Sequence, residues 1–360
     1  MHILIVCYYF MATLAVLSVC IPLIRLDSWI FRIFDYPRLQ KLVLLVFCMI
    51  AFLFIHHPLR QYSNILFIAM TFSVVYLAFL IWPYTVFGQK MIKKDQLHTN
   101  ENALNILVSN VYQENREYHE LVALIQSTQP DIVFLLETDQ KWMDGIQVAT
   151  KEYPFKIEVP LNNTYGLLFY SKLPLINKEV NYLIDLEIPS IIADVEYNND
   201  IIRLYGIHPT PPVPQENPES TERDAEILMV GKMAKAYNKP CIVFGDLNDV
   251  AWSRTTKLFL KSSSLLDARR GRGMFNTFHA KYWFLRWPLD HFFVSSHFRL
   301  VDMKVEKHIS SDHFPISISL VLRNQDKSQA FDISADEKEE VDEKITEGIE
   351  EGDAKTKKSK

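Results

Sequence analysis

Eight polar side chains punctuate the middle of this 360-residue chain, each at the end of an apolar run. Asn110 follows residues 104–108, and Glu137 closes 132–136. His208 ends 201–207, while Asp246 and Asn248 follow 242–244 across Gly245. Asp290 precedes 291–294, and Asp312 with His313 precedes 316–322. Taken singly, each has a plain structural explanation: Asn110 and Asn248 as turn residues or caps, Asp246 as an Asx turn, His208 as a packed loop histidine. Their joint placement beside apolar runs is poorly explained by capping alone. The residue types also share one chemistry. Carboxylates with an asparagine amide oxygen make a hard oxygen site suited to Mg2+ or Mn2+, whereas zinc would recruit more His or Cys. Such a cation polarises a phosphoryl oxygen. A histidine paired with a carboxylate moves protons or stabilises charge near neutral pH. Asn248 can donate to a phosphate oxygen. Together these are the groups needed to hydrolyse a phosphate ester or phosphoanhydride.

These side chains can act together only if a rigid frame holds them, because catalytic loops work when carried on a sheet. Residues 104–108, broken only by Asn105, and 132–136 are short apolar strand patterns. Further strands are predicted at 165–170, 191–197, 201–207, 242–244, 291–294 and 316–322. Residues 118–126 have helical spacing, with Leu121, Val122, Leu124 and Ile125 on one side and Pro130 as the stop. Helices are also predicted at 223–236 and 255–260. Strands interleaved with helices predict an α/β layered domain, and about 220 residues suffice for a substantial core.

The order of the motifs resembles the endonuclease/exonuclease/phosphatase, or DNase I-like, superfamily. The resemblance rests on Ser109-Asn110-Val111, Leu135-Leu136-Glu137-Thr138, Gly206-Ile207-His208-Pro209, Gly245-Asp246-Leu247-Asn248, Leu289-Asp290-His291-Phe292 and Ser311-Asp312-His313. It implies a four-layer α/β sandwich of two packed mixed β-sheets flanked by helices. It also implies roles: Asn110 and Glu137 as metal ligands with Asp312 as a second carboxylate, and Asp246 orienting or deprotonating the attacking water. Asn248 would hold a phosphate oxygen, His313 would contact the scissile phosphate and be oriented by Asp290, and His208 would be the second active-site histidine. The sequence departs from the family pattern in offering no identifiable carboxylate partner for His208. The stretch from Gly166 to Pro209 also leaves little room for long DNA-binding insertions.

The flanks differ from this domain. Apolar runs span 3–24, 42–55 and 65–82. A bilayer crossing needs about 20 residues, so the first and third qualify; the second is short unless His56 and His57 lie at the interface. Trp29, Trp82 and Tyr84 stand at run ends, where interfacial aromatics belong. The first run lacks the basic start of a signal peptide, and the runs lack the polar faces of soluble core helices. An all-α membrane anchor of three helices is therefore predicted over 1–88, with a linker at 89–102, the catalytic domain at 103–323, and a disordered charged tail at 324–360. Lys and Arg counts in the loops favour a cytoplasmic domain by a few charges. Residues 166–174 and 208–212, with the N-terminal spans, resemble a bacterial membrane-anchored subgroup of the superfamily whose domain faces outward, and that orientation is taken here.

The net charge of −5 weighs against a dedicated duplex-DNA binder. The four cysteines lack any zinc or redox spacing. Arg269, Arg270 and Arg272, interleaved with Gly271 and Gly273, read equally as a loop attracting an anionic substrate or as an ordinary solvated loop. Tyr282, Trp283, Phe284 and Trp287 could stack on a base, sit against lipid, or pack in the core. The sequence is thus expected to encode a Mg2+- or Mn2+-dependent phosphoesterase in a bacterial inner membrane. A phosphorylated and lipid-linked substrate is favoured over nucleic acid, with Arg269, Arg270, Arg272 and Trp287 as substrate contacts. The alternatives are a nuclease on DNA or RNA phosphodiesters and a non-catalytic membrane-tethered binding module.

Overall fold

A computed structural model describes residues 2–55, 60–95, 103–325 and 331–358. The apolar N-terminal region forms helices α1 (His2–Cys20), α2 (Trp29–Arg32), α3 (Arg38–Phe52) and α4 (Arg60–Ile81). Helices α1, α3 and α4 meet along a seam of Ala12, Leu45, Cys48, Met70 and Leu77. Their outer faces carry exposed Phe10, Phe47, Phe72 and Phe79. Two helical stretches, Ile3–Leu23 and Arg60–Tyr84, are long and apolar enough to cross a membrane. The expected third is not: α3 has 15 residues, or about 22 Å, against a hydrocarbon thickness of about 30 Å. His56 and His57 lie outside the described residues.

The catalytic region opens with β1 (Leu104–Asn110), α5 (Tyr118–Thr128), β2 (Ile132–Leu136), α6 (Gln140–Gly145), α7 (Gln147–Thr150), β3 (Phe155–Val159) and β4 (Leu167–Ser171). It continues with β5 (Leu175–Asn181), β6 (Ser190–Tyr197), β7 (Asp200–Gly206), α8 (Thr221–Tyr237), β8 (Cys241–Asp246), α9 (Arg254–Ser263), β9 (Leu266–Asp267) and β10 (Asp290–Val294). Strands β11 (Phe298–Val305) and β12 (Ile316–Leu322) then return to the first sheet. The two six-stranded sheets run β11-β12-β1-β2-β4-β3 and β5-β6-β7-β8-β10-β9. Both are mixed: β1 pairs parallel with β2 and antiparallel with β12, and β7 pairs parallel with β8 while β8 and β10 are antiparallel.

Alternate residues of each central strand face the partner sheet. Ile106, Val108, Phe134, Leu204, Ile242, Phe244 and Phe292 meet there. The opposite faces are covered by helices, with α5 and α6 supplying Leu121, Ile125 and Trp142 on one side. On the other, α8 and α9 supply Ile227, Val230, Leu258 and Phe259. This is the four-layer sandwich that the motif order implied. The predicted strands and helices are present with ends shifted by a few residues. Strands β3, β5, β9 and β11 were not predicted; the partly exposed, mixed-polarity residues of β3 and β5 hide the apolar run that marks a central strand.

The charged C-terminal segment departs from the predicted disorder. It forms helix α10 (Ala335–Lys358), which packs on α8 and α9. Val341 is buried and Ile345 packs beside it. At Gly348 a Cβ would stand 2.2 Å from the Ala225 Cβ, so glycine lets the two helices approach. The charges that suggested disorder find partners: Glu337 with Lys261 at 2.7 Å, Glu340 with Arg254, and Lys344 with Asp27 at 2.9 Å. The predicted linker is likewise partly built in, since Ile92 is buried and Asp95 N donates to Leu300 O at 2.8 Å.

The N-terminal helices are fastened to the sandwich through the segment between α1 and α3. Trp29 N donates to Pro218 O at 2.8 Å, and Ser220 N donates to Asp27 O at 2.8 Å. Trp252 Nε1 donates to Asp35 O at 2.8 Å. Beyond α4, Pro83 O accepts from Gly271 N at 2.8 Å, and the Tyr84 hydroxyl donates to Ala251 O. Arg32 pairs with Asp27 and, at 3.2 Å, with Asp224 of α8.

Candidate active site

The polar strand ends converge at one edge of the two sheets. Because β1 and β2 are parallel neighbours, Asn110 and Leu136 lie side by side, and Glu137 follows directly. Across the sandwich, Asp246 is the register partner of Asp290 on the β8–β10 pair. Gly245 between Phe244 and Asp246 has φ +139°, and a Cβ there would lie 1.9 Å from Ile207 O. Only glycine lets the β7 end, and hence His208, pass this close to Asp246.

Asp246 is the hub, 1% exposed. Its Oδ1 accepts from Asn248 N at 2.9 Å. Its Oδ2 accepts from Asn110 Nδ2 at 3.1 Å and lies 3.4 Å from His313 Nε2 and 4.0 Å from His208 Nε2. Asn110 Nδ2 also donates to Glu137 Oε1 at 2.7 Å, while Asn110 Oδ1 accepts from Tyr112 N at 3.1 Å. The asparagine thus bridges two carboxylates with its N–H2 group, while its oxygen accepts from the backbone. Glu137 Oε2 accepts from Gln113 N at 3.3 Å. Glu137 has φ 57° and Asn248 φ 50°. A left-handed glutamate costs roughly 1–2 kcal/mol, a strain that the surrounding contacts hold in place.

His313 Nδ1 is 2.9 Å from Asp290 Oδ2. Its loop is pinned by Ser311, whose Oγ donates to Asn110 O at 2.9 Å and accepts from His313 N at 3.0 Å. Thr277 Oγ1 accepts from Asp290 N at 3.3 Å, and the Phe278 ring lies 4.9 Å from that of His313. Burial disfavours the His313 cation, but Asp246 and Asp290 outweigh it and raise its pKa to about 10. Burial pushes the Asp290 carboxyl up, and the His313 cation opposes this. His208 is lowered to about 4 by burial, so it is neutral near pH 7. Its Nδ1 has no hydrogen-bond partner, in keeping with the missing carboxylate noted in the sequence.

The charge balance of this edge fits a bound cation. The carboxyl groups of Glu137, Asp246, Asp290 and Asp312 gather around the His313 imidazole. Burial pushes Glu137 up to about 7, with Asp312 and Asp246 adding to the effect. A divalent ion would restore the carboxylate form. Ligand atoms of Asp246, Asp290 and His313 lie within 4.8 Å of one another. The facing atoms of Asp290 and His313 are already joined by their hydrogen bond, whereas the Glu137 carboxylate accepts only from the neutral Asn110 amide and Gln113 N–H. The donors are oxygen-rich, as Mg2+ or Mn2+ prefers.

These residues floor a cleft of about 740 Å³ whose lining includes Glu137, His208, Asp246, Asn248, Asp312 and His313. Its lining is mainly apolar, with Thr164, Gln215 and Glu216 among it, and contains residues outside the motifs: Trp29, Ile33 and Tyr36 from the segment between α1 and α3, and Leu285. Tyr36 Oη donates to Asn248 O at 2.8 Å, and Arg223 Nη1 donates to the same carbonyl at 2.8 Å. No local spacing signals these contacts, because the partners meet only after the N-terminal segment docks.

Of the four suggested substrate contacts, only Trp287 lines the cleft, with its ring 5.7 Å from that of Tyr36. The arginines are corrected to structural roles. Arg269 is fully buried, binding Asp267 at 3.1 Å and His291. Arg270 stands 5.5 Å over the Tyr84 ring, and Arg272 binds Ala268 O and Ile92 O. A glycine-flanked basic run in sequence is here an internal clamp.

A family model described as the Endonuclease/Exonuclease/phosphatase family matches residues 103–313. Among solved structures, an endonuclease/exonuclease/phosphatase from Bacteroides vulgatus is 17% identical with a TM-score of 0.50, covering 62% of this chain and 100% of its own. One from Beutenbergia cavernae DSM 12333 is 16% identical, with a TM-score of 0.50, over 62% of this chain and 72% of that one. D. rerio TDP2 complexed with single strand DNA product is 17% identical, also at 0.50, over 61% and 99%. These are likenesses of fold. No curated protein matches the chain.

Proposed function

The chain belongs to the endonuclease/exonuclease/phosphatase family and is a hydrolase of phosphate ester bonds, and from that premise we propose a membrane-anchored, Mg2+- or Mn2+-dependent phosphoesterase with a lipid-linked substrate. The observation that carries the reaction type is the convergence of Glu137, Asp246, Asn248, Asp312 and His313 on one cleft, with Asp290 bonded to His313 Nδ1. Glu137 and Asp312 would hold the cation, with Asn110 orienting Glu137. When bound, the cation polarises a phosphoryl oxygen and offsets developing negative charge.

The remaining roles belong to the chain. Asp246 accepts a proton from, or orients, the attacking water, and Asn110 and the Asn248 N–H fix both its oxygens for that task. Asn248 Nδ2 donates to Pro209 O at 3.0 Å, which leaves its second N–H free for a phosphate oxygen. His313 presents a cationic Nε2 to the same phosphate, held in orientation by Asp290 at Nδ1. His208 is a neutral imidazole beside Asp246 and is assigned no proton-transfer step.

The lipid-linked reading is supported by the cleft wall, where Trp29, Ile33 and Tyr36 come from the segment joining two apolar helices. The anchor reading is supported by the exposed phenylalanines on α1, α3 and α4, which water would disfavour. An outward-facing domain is part of this proposal, on the resemblance of residues 166–174 and 208–212 to the membrane-anchored subgroup. A hydrolysis panel on the full-length protein tests the substrate class, reading phosphate release from a long-chain lipid phosphate and a soluble aryl phosphate and strand cleavage of single-stranded DNA. Faster turnover of the lipid phosphate supports the proposal, and turnover of DNA alone would make the protein a nuclease.

A further inference from the structure

Residues 282–285 place four consecutive large apolar side chains in the open. Tyr282, Trp283, Phe284 and Leu285 are 51%, 79%, 52% and 37% exposed. No other run of this kind occurs among the described residues of the sandwich. Isolated exposed apolar groups are ordinary, but a contiguous aromatic cluster marks a contact surface. The exposure does not come from a loose loop. Leu285 N donates to Tyr282 O at 3.0 Å, and His279 N donates to Leu285 O at 3.0 Å. Phe278 and Trp287 pair across the base as an antiparallel bridge. The turn is braced so that its tip points away from the protein.

The position of the tip says what it meets. Gln40, in the first turn of α3, donates through Nε2 to Phe284 O at 2.9 Å. The same end of the helical bundle carries the C-terminal end of α4, where Pro83 accepts from Gly271 N. The aromatic tip therefore stands level with the ends of the apolar helices on the side of the sandwich. In a bilayer-anchored chain that level is the headgroup region, where Trp and Tyr are favoured. Exposed Lys281 flanks the tip, and a cation beside anionic headgroups adds attraction.

We propose that residues 282–285 form a membrane-inserting turn, seated at the headgroup–acyl boundary of the bilayer that anchors the chain. This rests on the anchor reading above. Its consequence is steric. The base of the turn belongs to the cleft through Phe278 and Trp287, and Leu285, the least exposed of the four, joins the tip to the cleft lining. Seating the tip in lipid holds the mouth of the cleft against the membrane surface, so a substrate enters from the bilayer plane rather than from bulk water.

The test uses full-length protein reconstituted in phosphatidylethanolamine/phosphatidylglycerol vesicles, with and without lipids brominated near the headgroup end of the chain. The Trp283 emission is obtained as the difference between wild type and Trp283→Phe, an exposed position where the substitution leaves the packing intact. The expected result is blue-shifted Trp283 emission, most of which is lost on bromination. Protein that floats with vesicles but shows red, unquenched Trp283 emission overturns the proposal and leaves the anchor standing. Blue-shifted emission that bromine does not quench also overturns it, because a second protein surface then covers the turn. Protein that fails to float with vesicles overturns the anchor reading, and this proposal falls with it.

Discussion

Replacing Asp290 with asparagine isolates the group that orients His313. The two side chains are 2.9 Å apart, with Asp290 1% and His313 4% exposed, so solvent screens the contact little. A hydrogen bond to a charged group contributes about 1.5–3 kcal/mol, and a neutral one about 0.5–1.5 kcal/mol. Asparagine keeps the shape and a neutral acceptor, so the expected loss is about 1–1.5 kcal/mol, a five- to fifteen-fold drop in kcat/KM. Asp290→Ala removes the bond entirely and is expected to cost about 10- to 150-fold. The assay is steady-state hydrolysis of whichever phosphate ester the wild type turns over, at saturating Mg2+, with circular dichroism to confirm that each variant is folded. A folded Asp290→Asn or Asp290→Ala enzyme with wild-type kcat/KM would refute the claim that Asp290 holds His313 for the reaction.

Two further outcomes are expected. Tyr36→Phe removes one of the two hydrogen bonds on Asn248 O, the other coming from Arg223, and should lower kcat/KM about two- to ten-fold without loss of fold; unchanged kinetics would mean that the N-terminal segment only roofs the site. Docking of α10 should weaken in acid. The Lys261 and Arg254 hydrogen bonds hold Glu337 and Glu340 below the usual glutamate range. Groups with depressed folded-state pKa values contribute stability above the unfolded value of about 4.3 and lose it as pH falls through the folded value. Amide hydrogen exchange along α10 should therefore rise below about pH 4 before that of β1 or β8, and simultaneous loss of protection would contradict the assignment.

The candidate site edge was legible because its polar residues sit beside short, mostly buried strands, and both chemistry and periodicity mark that position. The roles were less legible. Asn110 reads as a cation ligand; that its amide also joins Glu137 to Asp246 and accepts from Tyr112 N depends on how the strands pair and how the chain turns after β1. Arg269 looked like an anion trap because its partner His291 becomes a neighbour only once β9 pairs with β10; Asp267, two residues away, was the local signal. The C-terminal segment looked disordered because its composition is charged. The spacing of Val341, Ile345, Gly348 and Gly352 carried the contrary signal, one helical face of small and apolar residues. Tyr36 carried no signal, since its role depends on the N-terminal segment folding back over the cleft.

The most direct test of the central claim is the metal dependence of phosphate release by the full-length protein, measured for wild type and Glu137→Gln. The account predicts that Mg2+ or Mn2+ supports wild-type turnover, that excess EDTA abolishes it reversibly, and that Glu137→Gln stays folded but falls to background at the same metal concentration. Turnover that persists in EDTA, or an undiminished Glu137→Gln enzyme, would contradict it.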